Sequence, residues 1–392
     1  MAATDKGVWD LQEVRDKQLA SEWEYTLAEQ LWMWGLNNSG QLGQNSLVRH
    51  SSPVQIPGNN WDTVYSQTYS IAATKTDGTL WVSGTNNTGQ LGLNNQTNLS
   101  SPTQLPGDWA TGESKFSFKS EYSAHGIKSD ATLWAMGYNQ YGNLGLNQPQ
   151  PTKYSSPIQV PGAWNKLFDG GGFSTYAIKT DGTLWSWGYN GQGELGHNSV
   201  IAYPNGESSP KQVGAQATWT TGTGSGSRAH GIKTDGSLWS WGRNQSGILG
   251  LNTVDIRRSS PTQVPGYTWS SISCQGTLTC AIKTNGTFWA WGSNSGNAEG
   301  ALGVNDAIDR SSPVQIPGTT WTDCMAGGTS GHNAAAGLKS DGTLWIWGSM
   351  EKVNPLNVPS DTHYSSPVQV PGISWKDLSS KSGGSIGCIQ HA

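Results

Sequence analysis

Lys179-Thr-Asp-Gly-Thr-Leu-Trp-Ser-Trp-Gly188, running on as Tyr189-Asn-Gly-Gln-Gly-Glu-Leu-Gly196, decides the fold because the chain keeps returning to it. It recurs as Lys233-Thr-Asp-Gly-Ser-Leu-Trp-Ser-Trp-Gly242 and as Lys283-Thr-Asn-Gly-Thr-Phe-Trp-Ala-Trp-Gly292. Weaker copies begin at Lys75, Lys128 and Lys339, and half a copy stands at Leu31-Trp-Met-Trp-Gly35. The Leu or Phe of the pair falls at positions 31, 80, 133, 184, 238, 288 and 344, a period near fifty residues. Repeats of that length build solenoids or propellers, in which each unit buries its apolar faces against its neighbours.

Composition agrees with one repetitive body. Hydrophobic residues make up only 34% of 392, yet there are 52 Gly and 21 Trp. Nineteen of the Trp fall on three recurring positions, leaving Trp9 and Trp23 in an N-terminal segment. Few large aromatics therefore carry the core, each burying about 150–250 Å². The formal charge of −4 gives no basic excess to hold phosphate backbones, so nucleic-acid binding is not expected. The Lys that recurs in six units reads as a solvated turn residue. Cys274, Cys280, Cys324 and Cys388 lack paired metal-ligand spacing and read as free thiols of a reducing compartment. No apolar run reaches membrane-spanning length, and the N-terminus has no apolar signal segment.

Each unit reads as four short strands. One follows Ser-Ser-Pro (Val54–Ile56), the next starts at Trp61, and a third ends in Ala177-Ile-Lys179. The fourth is Leu184–Trp187, joined to the third by an Asp-Gly hairpin turn whose Gly supplies the positive φ. Alternation puts the two Trp of Leu-Trp-x-Trp on one face and Leu and x on the other. Both faces are expected to be buried between neighbouring sheets. The ends are complementary: Ile389-Gln390 fills a third-strand slot, while Leu31-Trp32 starts with a fourth. One sheet is thus expected from both termini, closing a seven-bladed all-β propeller over residues 28–392.

Residues 1–27 lie outside the repeat. Asp10 and Glu13 have capping-box spacing and predict a short amphipathic helix reaching Trp23. Trp9, Leu11, Val14 and Trp23 are its candidate anchor residues.

The repeat Gly-Thr-Leu-Trp-x-Trp-Gly-x-Asn-x-x-Gly-Gln-Leu-Gly, followed by Ser-Ser-Pro-Val-Gln-Val-Pro-Gly, resembles the regulator of chromosome condensation repeat. That resemblance implies a seven-bladed propeller with a closing blade of mixed termini. For function it implies less, since family members include a small-GTPase exchange factor, chromatin binders and a secreted β-lactamase inhibitor. Ser83 and Met136 depart from the repeat at the second Trp, and Met350-Glu-Lys-Val-Asn-Pro replaces the last Gly-Gln-Leu-Gly turn. The segment Gly7-Val-Trp-Asp-Leu-Gln-Glu-Val14 with Ser21-Glu-Trp23 resembles a helical segment of tailed-bacteriophage structural proteins.

No chemistry stands out. His125 and His230 share one strand register, an arrangement read as drift rather than a metal pair. The clusters Gly170–Gly172 and Gly222–Gly226 lack the Lys-Ser/Thr ending of a phosphate loop. Neither an enzyme nor a cofactor is expected. The variable element is the loop from Trp-Gly to Ser-Ser-Pro, 15 to 19 residues long. Loops at equivalent places emerge on one face and make a binding rim. Its candidates are Tyr141, Tyr154, Tyr189, Tyr203, Asn205, Glu207, Arg257 and Arg258. A second candidate is the face bearing Gly170–Phe173 and Gly222–Arg228, taken to be a different one. The favoured expectation is a virion component, tail or appendage, bound to other virion subunits and presenting the propeller to a host surface receptor. The alternative is a soluble, cytoplasmic protein-binding propeller that acts as an inhibitor or GTPase exchange factor.

Overall fold

The computed structural model describes residues 29–391 except 68, 120–121, 149–150, 169–171, 203–204, 297–299, 330–331, 352–355, 357, 359–361, 373 and 379–384. The expected helix, with Trp9, Leu11, Val14 and Trp23, lies outside these residues. Seven four-stranded antiparallel sheets are present, each a meander from an inner to an outer strand. In blade 3 the strands are Trp164–Leu167, Ser174–Lys179, Leu184–Tyr189 and Gly206–Gln212. Blades 1 and 2 precede it, blades 4 to 6 follow, and inner strands of successive blades touch around a central axis.

Blade 7 is made from both ends of the chain. Ser385–His391 lies between Trp375–Leu378 and Glu29–Gly35, and His50–Gln55 forms the outer edge. Leu31 stands opposite Ile389 and Trp32 opposite Cys388, so seven consecutive pairs from Glu29 to Gly35 replace a covalent hairpin. Closure removes the open sheet faces that a linear array would have to cap.

The hairpin turn between the second and third strands explains the repeated Lys-Thr-Asp-Gly-Thr. Gly182 has φ +81° and its N–H donates to Lys179 O. The Asp181 carboxylate accepts from the Thr183 N–H at 2.9 Å and hydroxyl at 2.6 Å, and Trp185 Nε1 donates to that hydroxyl at 2.8 Å. These bonds, the Thr183 hydroxyl first, hold the Asp181 carboxyl below its ordinary range. Asp77, Asp130, Asp235 and Asp341 are held down in the same way by Thr79, Thr132, Ser237 and Thr343.

Trp185 is thereby oriented to receive a cation. Lys179 Nζ lies 3.6 Å from the centroid of Trp185 and 5.2 Å from that of Trp164. All six repeat lysines sit between two indoles in this way, at 3.6 to 5.6 Å. The expectation of a merely solvated turn lysine is corrected: the aliphatic stem and charge bridge two strands of one blade. Blade 7 has Gln390 there, opposite Trp375, and an ion pair of Lys376 with Glu29. The burial expectation also needs correction. Leu184, Ser186 and Trp187 are fully buried, but the first Trp of each pair, Trp185 included, is only half-buried.

Seams between blades depend on the second Trp. Trp187 Nε1 donates to Asn143 O of blade 2 at 3.0 Å, and Trp241 to Glu194 O of blade 3 at 2.6 Å. Trp291 and Trp347 do the same to Ile248 O and Ala301 O. Ser83 keeps the bond with its hydroxyl, to Gln41 O at 3.4 Å. The Gly closing each loop faces that indole: a Cβ on Gly145 would lie 2.7 Å from Trp187 Nε1. Cys274, Cys280, Cys324 and Cys388 are all buried, with no disulfide among the described residues.

A cation over an aromatic face contributes about 0.5–2 kcal/mol, rising as it is desolvated. Lys179→Met is therefore expected to destabilise by about 1–2 kcal/mol. Lys211→Met, at an exposed ion pair 3.8 Å from Glu207, should stay within about 0.5 kcal/mol. Urea denaturation of both variants measures the difference, and equal effects would remove the bridging role.

Candidate functional site

Strand direction brings two sets of connections to one end of the propeller. Tyr189 N, at the start of the long blade 3 loop, donates to Phe173 O in the turn between the first two strands. Tyr138 bonds Tyr122 O, and Arg243 bonds Ser227 O, in the same manner. The connections between first and second strands, which carry Tyr122, Phe173 and Ser227, therefore share a face with the variable loops, which corrects their assignment to two. Four of the loops are pinned internally in one way. Asn190 Oδ1 accepts from Leu195 N at 3.1 Å while its Nδ2 donates to Ser199 O, and Asn37, Asn86 and Asn244 repeat both bonds.

Over blades 2 and 3 this face carries connected aromatic rings. Tyr122 stacks on Phe173 at 6.1 Å and meets Tyr138 edge-on at 6.5 Å. Tyr141 contacts Phe173 at 4.8 Å and Tyr189 at 5.2 Å. Tyr122 is the most open of the group at 38% exposure, whereas Tyr141 is buried beneath it. Beside them, over blades 3 and 4, a polar cavity of about 360 Å³ is lined by Gln192, Arg243, Asn244, Gln245, Asp255 and Arg257.

The expected rim residues fall into three groups. Tyr141, Tyr189 and Arg257 belong to this aromatic and cationic surface, and Arg258 begins the outer strand beside it. Asn205 is exposed in the blade 3 loop, but Tyr203 lies outside the described residues. Tyr154 packs into the core beside Leu146 and Trp185, and Glu207 pairs with Lys211 on the outer strand, so neither joins the patch. Phe173 was expected only as part of a second face, and Tyr122, Gln192 and Arg243 were not anticipated. Arginine position could have found Arg243: every described arginine (Arg49, Arg228, Arg243, Arg257, Arg258 and Arg310) stands on a connection or strand start at this end. The six repeat lysines stand at the other.

Glu194 lies beneath the loop. It occupies the place of Gln41, Gln90 and Asn143, whose side-chain oxygens each accept the N–H two residues before. Glu194 Oε2 accepts from Gln192 N at 2.6 Å, and burial pushes its carboxyl up to about 7. His125 and His230 are fully buried, edge-on to Trp187 and Trp291 of the next blade, and burial pushes each down to about 3. Tyr176 holds the same register against Trp241, so this position fills the seam. No group of three or more metal-ligating side chains occurs among the described residues.

The family model of the regulator of chromosome condensation (RCC1) repeat matches residues 29–64, 181–220 and 235–282. Among curated proteins, the chain is similar to the ultraviolet-B receptor UVR8 of Arabidopsis thaliana, 23% identical over 224 residues, 56% of this chain and 49% of that protein. It is also similar to the human E3 ubiquitin-protein ligase HERC2, 24% identical over 275 residues, 69% of this chain but 6% of that one. The chain thus spans at most about half the length of these relatives. Human WBSCR16 superposes with a TM-score of 0.77 at 18% identity, covering 93% of this chain and 99% of that structure. Prp20p of Saccharomyces cerevisiae, described with its binding to Gsp1p and histones, superposes at 0.76 and 17% identity, covering 93% and 91%. These structures show the fold.

The native state binds more protons at Glu194 than the unfolded chain between pH 4.5 and about 7. Its contribution to stability is therefore full below 4.5 and lost as pH rises through 7. Glu194→Gln is expected to exceed the wild type in stability by up to about 3 kcal/mol near pH 8. The gap should narrow as pH falls toward 4.5. Denaturation midpoints across that range check it, and a gap independent of pH would contradict it.

Proposed function

We propose that this chain is a protein-binding propeller whose recognition face is the loop end, with Tyr122 and Phe173 beside Arg243 and Arg257. One observation carries the reading. Of eight large hydrophobic side chains exposed among the described residues, seven stand on this end or its rim: Leu47, Val48, Tyr122, Val200, Val254, Ile256 and Ile308. Exposed apolar groups interleaved with arginine are what a protein interface uses, because arginine and aromatics anchor while apolar area is desolvated. Arg310 and Arg49 are tied to Asp306 and Glu351 O, which leaves Arg243 and Arg257 as the cavity's own cations.

The pinned loops support this reading, since a surface already held in shape loses little freedom on binding. Prp20p, with the same fold, has protein partners. An inhibitor covering a partner's active site and an exchange factor for a small GTPase are both compatible with such a face. Attachment to a virion and recognition of a host surface draw on residues 7–23, outside the described part, and the relatives favour the protein-binding reading over it.

The test is capture of interacting proteins from cells that express the chain, with three forms of the full-length protein. Arg243→Glu with Arg257→Glu is expected to lose the partners of the wild type. Asn59→Glu with Ala163→Glu, at exposed positions of the opposite end, should retain them. Surface changes of this kind alter stability by about 0.5 kcal/mol each, so melting temperatures should match. Partners kept by the first variant and lost by the second would move the site to the lysine end.

A further inference from the structure

The seam between blade 7 and blade 1 is open where comparable seams are filled. Two residues after the buried loop Leu, blades 1 to 5 place a side chain at the position that adjoins the next blade's half-buried indole. Leu93, Leu146, Leu251 and Val304 pack there, each on the same hydrophobic cluster as Trp134, Trp185, Trp289 and Trp345 respectively. His197 instead bonds Ser186 and Lys211 O. The corresponding residue of blade 7 is Gln44, whose amide turns aside to donate to Gln55 O at 2.8 Å. A cavity of about 320 Å³ remains, lined by Gln44, Asn45, Lys75, Trp81, Ser101 and Pro102 among others.

We propose that this cleft is a carbohydrate site that takes one neutral pyranose ring. Lys75 Nζ covers one face of the Trp81 indole and Thr79 Oγ1 takes its Nε1 hydrogen at 2.9 Å, so what the ring offers the cavity is apolar surface without a donor. A flat apolar wall of that kind suits the C–H face of a sugar. Around it stand directional polar groups: the Gln44 side-chain oxygen, and the Asn45 amide with the Ser101 hydroxyl that donates to its Oδ1 at 3.4 Å. Apolar lining with a few convergent donors and acceptors is the general form of a small-molecule site, and these match ring hydroxyls. A proline ring would use the wall but not the rim. For one hexose, with few atoms in contact, the dissociation constant is on the order of millimolar. The cleft is separate from the arginine-bearing face, so neither reading depends on the other.

The probes are the methyl glycosides of glucose, galactose, mannose and N-acetylglucosamine, tested on the full chain by saturation-transfer NMR. At least one is expected to receive saturation, strongest at the protons of one ring face. Gln44→Leu installs the side chain that three other blades carry at this place, so it preserves the fold while filling the cleft. It should weaken binding at least tenfold. No transfer to any of the four glycosides would overturn the proposal. So would equal transfer in the Gln44→Leu variant, or saturation of a diproline peptide in place of the sugars.

Discussion

The structure depends on an indole reaching across a seam. In blades 3 to 6 the second Trp donates its Nε1 hydrogen to a loop carbonyl of the blade before, as Trp241 does to Glu194 O. That bond accounts for three features of the repeat. The indole needs the space a Cβ would take on the loop's last Gly, such as Gly196, 3.0 Å from Trp241 Nε1. The preceding Leu must be buried to bring its loop down, and Leu195 is fully so. Asn190 must fold the loop so that the carbonyl points at the seam, which its two bonds do. A buried donor left unpaired costs about 1–3 kcal/mol, so the seams that carry this indole donor at blades 3 to 6 select the loop that satisfies it.

Loop shape and blade packing are consequently one property. Loops of 15 to 19 residues usually vary in conformation, yet here those of blades 2 to 5 and 7 are anchored to the next blade. The variable side chains are carried on a fixed base, which is the condition for a surface that recognises without reordering. The two ends of the molecule then divide the cations between them. Lysines at the hairpin end are spent on indoles inside their own blades, whereas Arg243 and Arg257 line a cavity at the loop end.

Much of the fold was legible because strand period, turn chemistry and repeat length agree. Trp61, Trp164 and Leu184 begin strands where the pattern put them, and the split blade pairs Leu31 with Ile389. What escaped depends on geometry between units. Lys179 reads as a turn residue because the indoles that receive it are Trp185, six residues on, and Trp164, fifteen back. Trp185 and Trp187 share a strand face, but only Trp187 is fully buried in the seam while Trp185 lies at its edge, so alternation could not separate half-buried from buried. Of the candidate site, loop length pointed to Tyr141 and Tyr189 and loop composition to Arg257. Tyr122 escaped, and Phe173 was set on a separate face, because the connections that carry them join the loops through backbone bonds, which side-chain patterns do not reveal.

Hydrogen exchange in the Trp241→Phe variant tests the seam most directly. Phenylalanine keeps much of the ring volume and removes the cross-seam donor to Glu194 O, leaving the Tyr176 hydroxyl, which donates to the same oxygen at 2.8 Å from within blade 3. If the seam bond holds the loop, the amides of Leu195 and Gly196 in blade 3 should exchange about tenfold faster, the scale of one lost hydrogen bond. The loop of blade 4, whose Leu249 N–H is held by Asn244 Oδ1 at 3.0 Å, should keep its protection. Faster exchange confined to blade 4, with Leu195 and Gly196 unchanged, would contradict the account.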